Sequence, residues 1–215
     1  MYIPPQAVAA NKLPTSPRRL GIQGAAGVGK TFASLTFPNV IYADIDNKFT
    51  GYRAAHPECE VPTLPFWNRK FVTEVCKCFN NGNREDLKQP PNTRDAVKYW
   101  IVEEASKLSH EQTLVLDSWT SLQIAFDIQS NLPHEQVRSA KTGELDTFAF
   151  WRAKKNYTRE LTDALKRLSC SVVLICHETP DRDDDGKIIG IKVLMEGAGA
   201  DELPTQFTDW YRQKY

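Results

Sequence analysis

Gly24-Ala25-Ala26-Gly27-Val28-Gly29-Lys30-Thr31 decides how this chain of 215 residues folds. The stretch satisfies G-x-x-x-x-G-K-[ST] at every fixed position. Before it, Arg19-Leu20-Gly21-Ile22-Gln23 reads as a short strand, and after it Lys30 to Phe37 reads as a helix stopped by Pro38. Glycines let successive backbone N–H groups curl around an anion with no Cβ in the way, and a helix start adds partial positive charge. A phosphate is the anion that such a strand–loop–helix unit fits. On this reading Gly24, Ala25, Ala26, Gly27, Val28, Gly29, Lys30, Thr31 and Phe32 cradle a nucleotide, with ATP as the expected cofactor. Lys30 would reach the β- and γ-phosphates, and the Thr31 hydroxyl would ligate Mg²⁺.

Working outward, Val40 to Ile45 is β-branched, bounded by Asn39 and Asn47, and reads as a second strand. Thr113-Leu114-Val115-Leu116 is an apolar strand that delivers Asp117 at its end, where a carboxylate could hold the Mg²⁺ water shell. Ser171 to Cys176 is another continuous apolar strand. Asp181 to Gly186 reads as a turn leading into Ile188 to Leu194, hence a hairpin near the C-terminus. Helices are expected where Phe71, Val75 and Phe79 share a face, and from Thr93 with Val97, Ile101, Ala105 and Leu108 inward. A third runs from Asp146 to Leu168 with Phe150, Tyr157, Leu161, Ala164, Leu165 and Leu168 inward; His56 to Phe66, with three prolines, reads as loop. Strands alternating with helices, some strands apolar throughout, predict an α/β fold: a mainly parallel twisted sheet with helices on both faces. Residues 1–17, with four prolines, read as an extended arm, and 18–215 as one core.

Composition bounds the rest. Lys+Arg 27 balance Asp+Glu 27, which argues against coating nucleic acid by bulk charge. The longest aliphatic run, Val172 to Cys176, is far short of the ~20 residues that span a bilayer, so no membrane partner is expected. The N-terminus lacks a basic then apolar leader, and five cysteines without framework spacing imply reduced thiols; together they predict a cytoplasmic protein.

After Asp117 comes Ser118 rather than Glu, so the group that orients the attacking water must come from elsewhere. The end of the second strand offers Asp44-Ile45-Asp46. With these motifs in order, the chain resembles the RecA-like P-loop ATPases. The resemblance spans most of residues 18–177 and implies Asp46 as the catalytic carboxylate, with Asp44 able to share the role. It implies Asp117 for the metal and His177, ending Ile175-Cys176-His177, as the γ-phosphate sensor. Two positions depart from RecA itself: Asp46 stands where Glu is usual, and His177 where Gln is usual. The size and layout, with no RecA-style C-terminal domain and a short tail from Gly197 to Tyr215, resemble the compact phage proteins of single-strand annealing and recombination.

That resemblance implies single-stranded DNA as a partner, self-association into a ring or filament, a phage or host single-strand-binding protein as a further partner, and the host cytoplasm as location. Gln129 to Thr147 and Glu178 to Glu196 are the segments that fit DNA-facing loops. From Arg138 to Cys170 eight basic residues face four acidic ones, a local +4 in a chain of zero net charge, with Phe148 and Trp151 nearby to stack on bases. Lys187, Lys192, Arg212 and Lys214 are equal candidates for a cation reaching a neighbour's ATP. Two other functions stay open: a P-loop kinase of a nucleotide or small molecule, with Arg182 in its lid, and a non-catalytic ATP-switched assembly protein. His56, Cys59, Cys76 and Cys78 could also be zinc ligands, although Cys76 and Cys78 cannot share one helix face.

Overall fold

Leu114 to Leu116 in Thr113–Asp117 and Val172 to Cys176 in Ser171–Arg182 are apolar at every step, and a run of that kind has to be covered on both sides. The computed structural model of the chain describes residues 16–46, 48–58, 60–62, 105–123, 142–144, 146–195 and 199–214. It places both strands at the centre of a six-stranded sheet. The strands are β1 (Arg19–Gly24), β2 (Val40–Asp44), β3 (Thr113–Asp117), β4 (Ser171–Arg182), β5 (Ile188–Val193) and β6 (Asp209–Arg212). Their order is β2-β3-β4-β1-β6, with every pair on that path parallel; β5 pairs antiparallel with the outer half of β4. The helices are α1 (Lys30–Ser34), α2 (Phe49–Ala55), α3 (Thr147–Lys166) and α4 (Gly199–Thr205). This is the α/β P-loop fold that the sequence predicts, C-terminal hairpin included.

Alternation along the strands divides the core in two. Leu114, Leu116, Val172, Leu174 and Cys176 point to the side covered by Leu161 and Leu165 of α3, by Leu168 and by Leu203 and Phe207. Val115, Val173, Ile175, Leu20, Ile22 and Tyr42 point to the other, against Phe49 of α2, with Leu35 and Phe37 at the rim. Burying each such aliphatic side chain contributes about 1.5–3 kcal/mol, so both layers stabilise the sheet between them. Buried Arg19 ties β1 to the end of α3 and the segment after it by donating to the carbonyls of Lys166, Leu168 and Cys170; the first is an orphan acceptor of the helix end.

Several expectations are corrected. The first helix ends at Ser34 rather than Phe37, where the Leu35 N–H is shared between Thr31 O and Phe32 O and the last turn tightens. α2 lies in a stretch left without an element, because it is short and capped from a distance rather than by its own neighbour. β4 does not end at Cys176 but runs on to Arg182, so the turn is Asp183 to Lys187, closed by Asp183 N–H to Lys187 O and Lys187 N–H to Asp183 Oδ1. Glu178 to Glu196 is therefore an antiparallel ribbon over its described part and not a loop. The tail is no tail either: α4 and β6 close the sheet beside β1. Residues 105–107 form a 3₁₀ turn with Ala105 and Leu108 buried; the rest of that predicted helix lies outside the described residues, as do the helix through Phe71, Val75 and Phe79 and the arm over 1–15. Among the described residues no helix is long and apolar enough to cross a membrane.

Candidate functional site

Five parallel strands present their site-facing ends along one edge. Gly24 pairs with His177, Gln23 with Arg212, and Asp117 with both Asp44 and Ile175. In open parallel sheets this edge is where ligands bind. The loop leaving β1 has Gly27 at φ 80° and Gly29 at φ 88°, left-handed values that side chains with a Cβ rarely adopt. Between them they turn the chain into α1, and Ala25, Ala26, Gly27 and Gly29 are exposed while Lys30 is buried and Phe32 stands out at the surface. Lys30 Nζ donates to Gly24 O at 2.8 Å and Ala25 O at 2.6 Å. Burial lowers its pKa from the ordinary lysine value, and the Asp117 carboxylate opposes that shift.

Thr31 Oγ1 donates to Asp117 Oδ2 at 2.9 Å, across 86 positions of sequence. The pair is the observation that tests a magnesium nucleotide against these residues, and it fits. A hydroxyl that spends its proton on a carboxylate keeps its lone pairs for a hard cation, and the cation prefers oxygen ligands. Asp117 is 9% exposed; burial raises its pKa, and hydrogen bonds from Tyr42 and Thr31 oppose the rise. Thr31 and Asp117 would hold Mg²⁺ and its water shell, and Lys30 would meet the phosphates.

Asp44 and Asp46 separate cleanly. The Asp44 carboxylate accepts the backbone N–H of Lys48 at 2.9 Å and of Phe49 at 2.8 Å, so it fastens the start of α2. Asp46 instead faces the strand ends. Its side chain is 5% exposed and accepts Ser118 Oγ at 3.0 Å and Lys48 Nζ at 2.9 Å, with His177 Nε2 3.7 Å away. Burial alone would raise its pKa, yet hydrogen bonds from His177, Ser121 and Lys48 hold it far below the usual carboxylate range. His177 is fixed through its backbone as well: its N–H donates to Thr120 Oγ1 at 3.0 Å and its carbonyl accepts from the Leu194 N–H at 2.8 Å. Asp46, Asp117 and His177 thus lie together at the strand-end edge, while the Asp44 carboxylate is taken up by two backbone amides. The peptide bond between Asp117 and Ser118 is cis.

Other candidates are placed differently. Arg212 is paired within the chain, Nε to Glu178 Oε2 at 2.8 Å and an Nη to Oε1 at 3.2 Å, and Lys192 meets Asp181 at 2.7 Å. Lys187 and Lys214 are exposed. Arg182 donates to Gly186 O at 2.7 Å, which fixes the hairpin turn rather than covering the loop. His56 stacks on Tyr52 and lies 3.3 Å from Glu58; Cys59, Cys76 and Cys78 fall outside the described residues, among which no cluster of three or more His, Cys, Asp or Glu could hold a metal. Gln129 to Lys141 falls outside them too. Phe148 at 82% and Trp151 at 44% exposure lie on α3 with exposed Arg152 and Arg159.

Sequence reasoning missed Tyr42, Lys48, Thr120 and Ser121. Tyr42 carried a signal, since a tyrosine in an otherwise aliphatic strand must find a partner for its hydroxyl. Lys48, and Thr120 and Ser121 in the helical turn after Asp117, act through tertiary contacts that no spacing announces. A search of curated proteins finds no match to this chain. A family model described as an AAA domain matches residues 16–210, nearly its whole length. With a nucleotide loop, a buried strand-end aspartate and the sheet order that brings them together, the chain belongs to the AAA-domain family of P-loop ATPases.

Proposed function

We propose that this chain is a Mg²⁺-dependent RecA-like ATPase that acts on single-stranded DNA in phage recombination or annealing, as rings or filaments in the host cytoplasm. The observation that carries the reading is the cluster at the sheet edge. A low-pKa carboxylate, Asp46, is buried between Ser118, Lys48 and His177 beside the Thr31–Asp117 pair. In this mechanism Asp46 accepts a hydrogen bond from the attacking water and orients it, Lys30 stabilises charge on the phosphates, and His177 reports the γ-phosphate. Mg²⁺, when bound, neutralises charge on the β- and γ-oxygens. The charged Asp46 is matched to accepting, and its lowered pKa makes it a positioning acceptor more than a strong base.

The DNA role is supported by the exposed aromatics of α3 set among arginines, an arrangement that stacks bases and tracks phosphates. The kinase alternative loses its lid, because Arg182 is engaged in the hairpin turn. ATP hydrolysis measured with and without single-stranded DNA, beside native mass, tests the reading. DNA-stimulated turnover in an oligomer supports it, and transfer of phosphate to a small molecule points to the kinase. Lys30→Ala should abolish turnover with the fold intact; undiminished turnover in that variant refutes the assignment.

A further inference from the structure

Tyr42 sits within β2 with its ring 1% exposed, and its hydroxyl donates to Asp117 Oδ2, the same oxygen that accepts from Thr31. Its ring stacks on Phe49 at 4.2 Å, Phe49 on Tyr52 at 5.7 Å, and Tyr52 on His56 at 4.5 Å. Phe49 is in turn held by its backbone N–H to Asp44. The tyrosine therefore cannot shift along or out of the sheet without breaking an aromatic stack and a helix start.

A carboxylate that serves a metal through water has to present one oxygen in one direction. Rotation about its Cβ–Cγ bond would exchange the two oxygens. Two hydroxyl donors on Oδ2, one from β2 and one from α1, oppose that rotation and leave Oδ1 for the water shell. Thr31 alone could not do both tasks firmly, since its oxygen would also bind the metal. Groups that orient metal-serving side chains typically contribute 10–100-fold to metal affinity.

We infer that Tyr42 is a positioning residue for the magnesium ion, its hydroxyl locking the Asp117 carboxylate against Thr31. The inference rests on the reading of Thr31 and Asp117 as the Mg²⁺ site. It goes beyond that reading by giving β2 a part in metal binding separate from the carboxylates at its end. The plain alternative is a buried tyrosine whose hydroxyl merely needs an acceptor; it predicts lost stability without altered metal dependence.

The experiment uses the full chain and a fluorescent N-methylanthraniloyl ATP, titrated with Mg²⁺ and repeated in EDTA, for wild type, Tyr42→Phe and Phe49→Leu. Tyr42→Phe should raise the half-saturating Mg²⁺ concentration about tenfold or more. Nucleotide binding in EDTA and the melting temperature should stay close to wild type, and high Mg²⁺ should restore binding. Phe49→Leu keeps the hydroxyl and should shift the Mg²⁺ midpoint less. An unchanged midpoint in Tyr42→Phe overturns the inference. So does an equal loss with and without Mg²⁺, or a Phe49→Leu shift as large as that of Tyr42→Phe. If wild-type binding shows no Mg²⁺ dependence, the metal-site reading itself fails.

Discussion

Asp44 and Asp46 stand two residues apart at the end of one strand, and the structure gives them opposite consequences. Replacing Asp44 with Ala removes the acceptor for the Lys48 and Phe49 backbone N–H groups. The first bond is exposed and counts for little; the second is partly buried. Together their loss resembles loss of a helix cap, about 1–2 kcal/mol. For a chain of this size that lowers Tm by roughly 2–8 °C. Nothing in those bonds touches the phosphate loop, so turnover below the melt should stay within a few-fold of wild type. Asp46→Asn keeps the shape but removes the charge between Ser118, Lys48 and His177. Loss of a group that orients the nucleophile typically costs about 10²–10⁴-fold in rate. Steady-state ATP turnover at saturating nucleotide, with thermal melts on the same samples, reads both. A dead Asp44→Ala that melts like wild type, next to an active Asp46→Asn, would refute the division of labour and hand the role to Asp44.

Three further outcomes follow from the same geometry. Because the Asp46 pKa is depressed in the folded state, its contribution to stability is complete above its unfolded value, about 3.9, and is lost as pH falls toward the folded one. Chemical denaturation of wild type and Asp46→Asn below pH ~4 should therefore converge, and a gap that widens with acid would contradict this sign. Gly21→Ala would set a Cβ 2.0 Å from the Trp210 ring, which is held by its Nε1–H to Gln23 at 2.6 Å and edge-on to Phe207. Overpacking of this kind costs about 1–3 kcal/mol or more, so Tm should fall and limited proteolysis should begin near β6; a wild-type melt would show that the strand has room to move. Phe148→Ala and Trp151→Ala should each weaken binding of a labelled oligothymidylate about tenfold, in keeping with ~1–3 kcal/mol per stacked base. Unchanged anisotropy titrations would take α3 out of the DNA surface.

The phosphate loop, the strand ending in Asp117 and the strand through Ile175 were legible because each is a local pattern with a physical demand: glycines at left-handed turns, or aliphatics covered on both faces. Asp117 was legible as the end of a buried strand, whereas Asp46 and His177 were named together only through the order of motifs in the resemblance. What the sequence hid depends on contacts between distant segments. Asp44 and Asp46 look alike until the chain folds back and offers Asp44 two amides. β6 is only Asp209–Arg212, too short for any alternation to show, and exists because β1 offers it an edge and Gly21 leaves space for Trp210. The far half of β4, with Thr179, Pro180 and Asp181, has the composition of a loop and becomes strand by pairing with β5.

β4 passes from the buried sheet through His177 into the exposed ribbon as one strand, so His177 and the hairpin tip share a continuous backbone. At ~3.3 Å per residue, the five steps from His177 to Arg182 carry the chain roughly 16 Å from the sheet edge. The ribbon is anchored to His177 at its root by the Leu194 N–H, and Thr120 grips the same residue from the other side. The two bonds hold the root of the ribbon at the strand end where the site lies. The exposed Ile188, Ile189 and Ile191 lie on β5 of that ribbon, so an apolar surface and the strand-end site are parts of one continuous element.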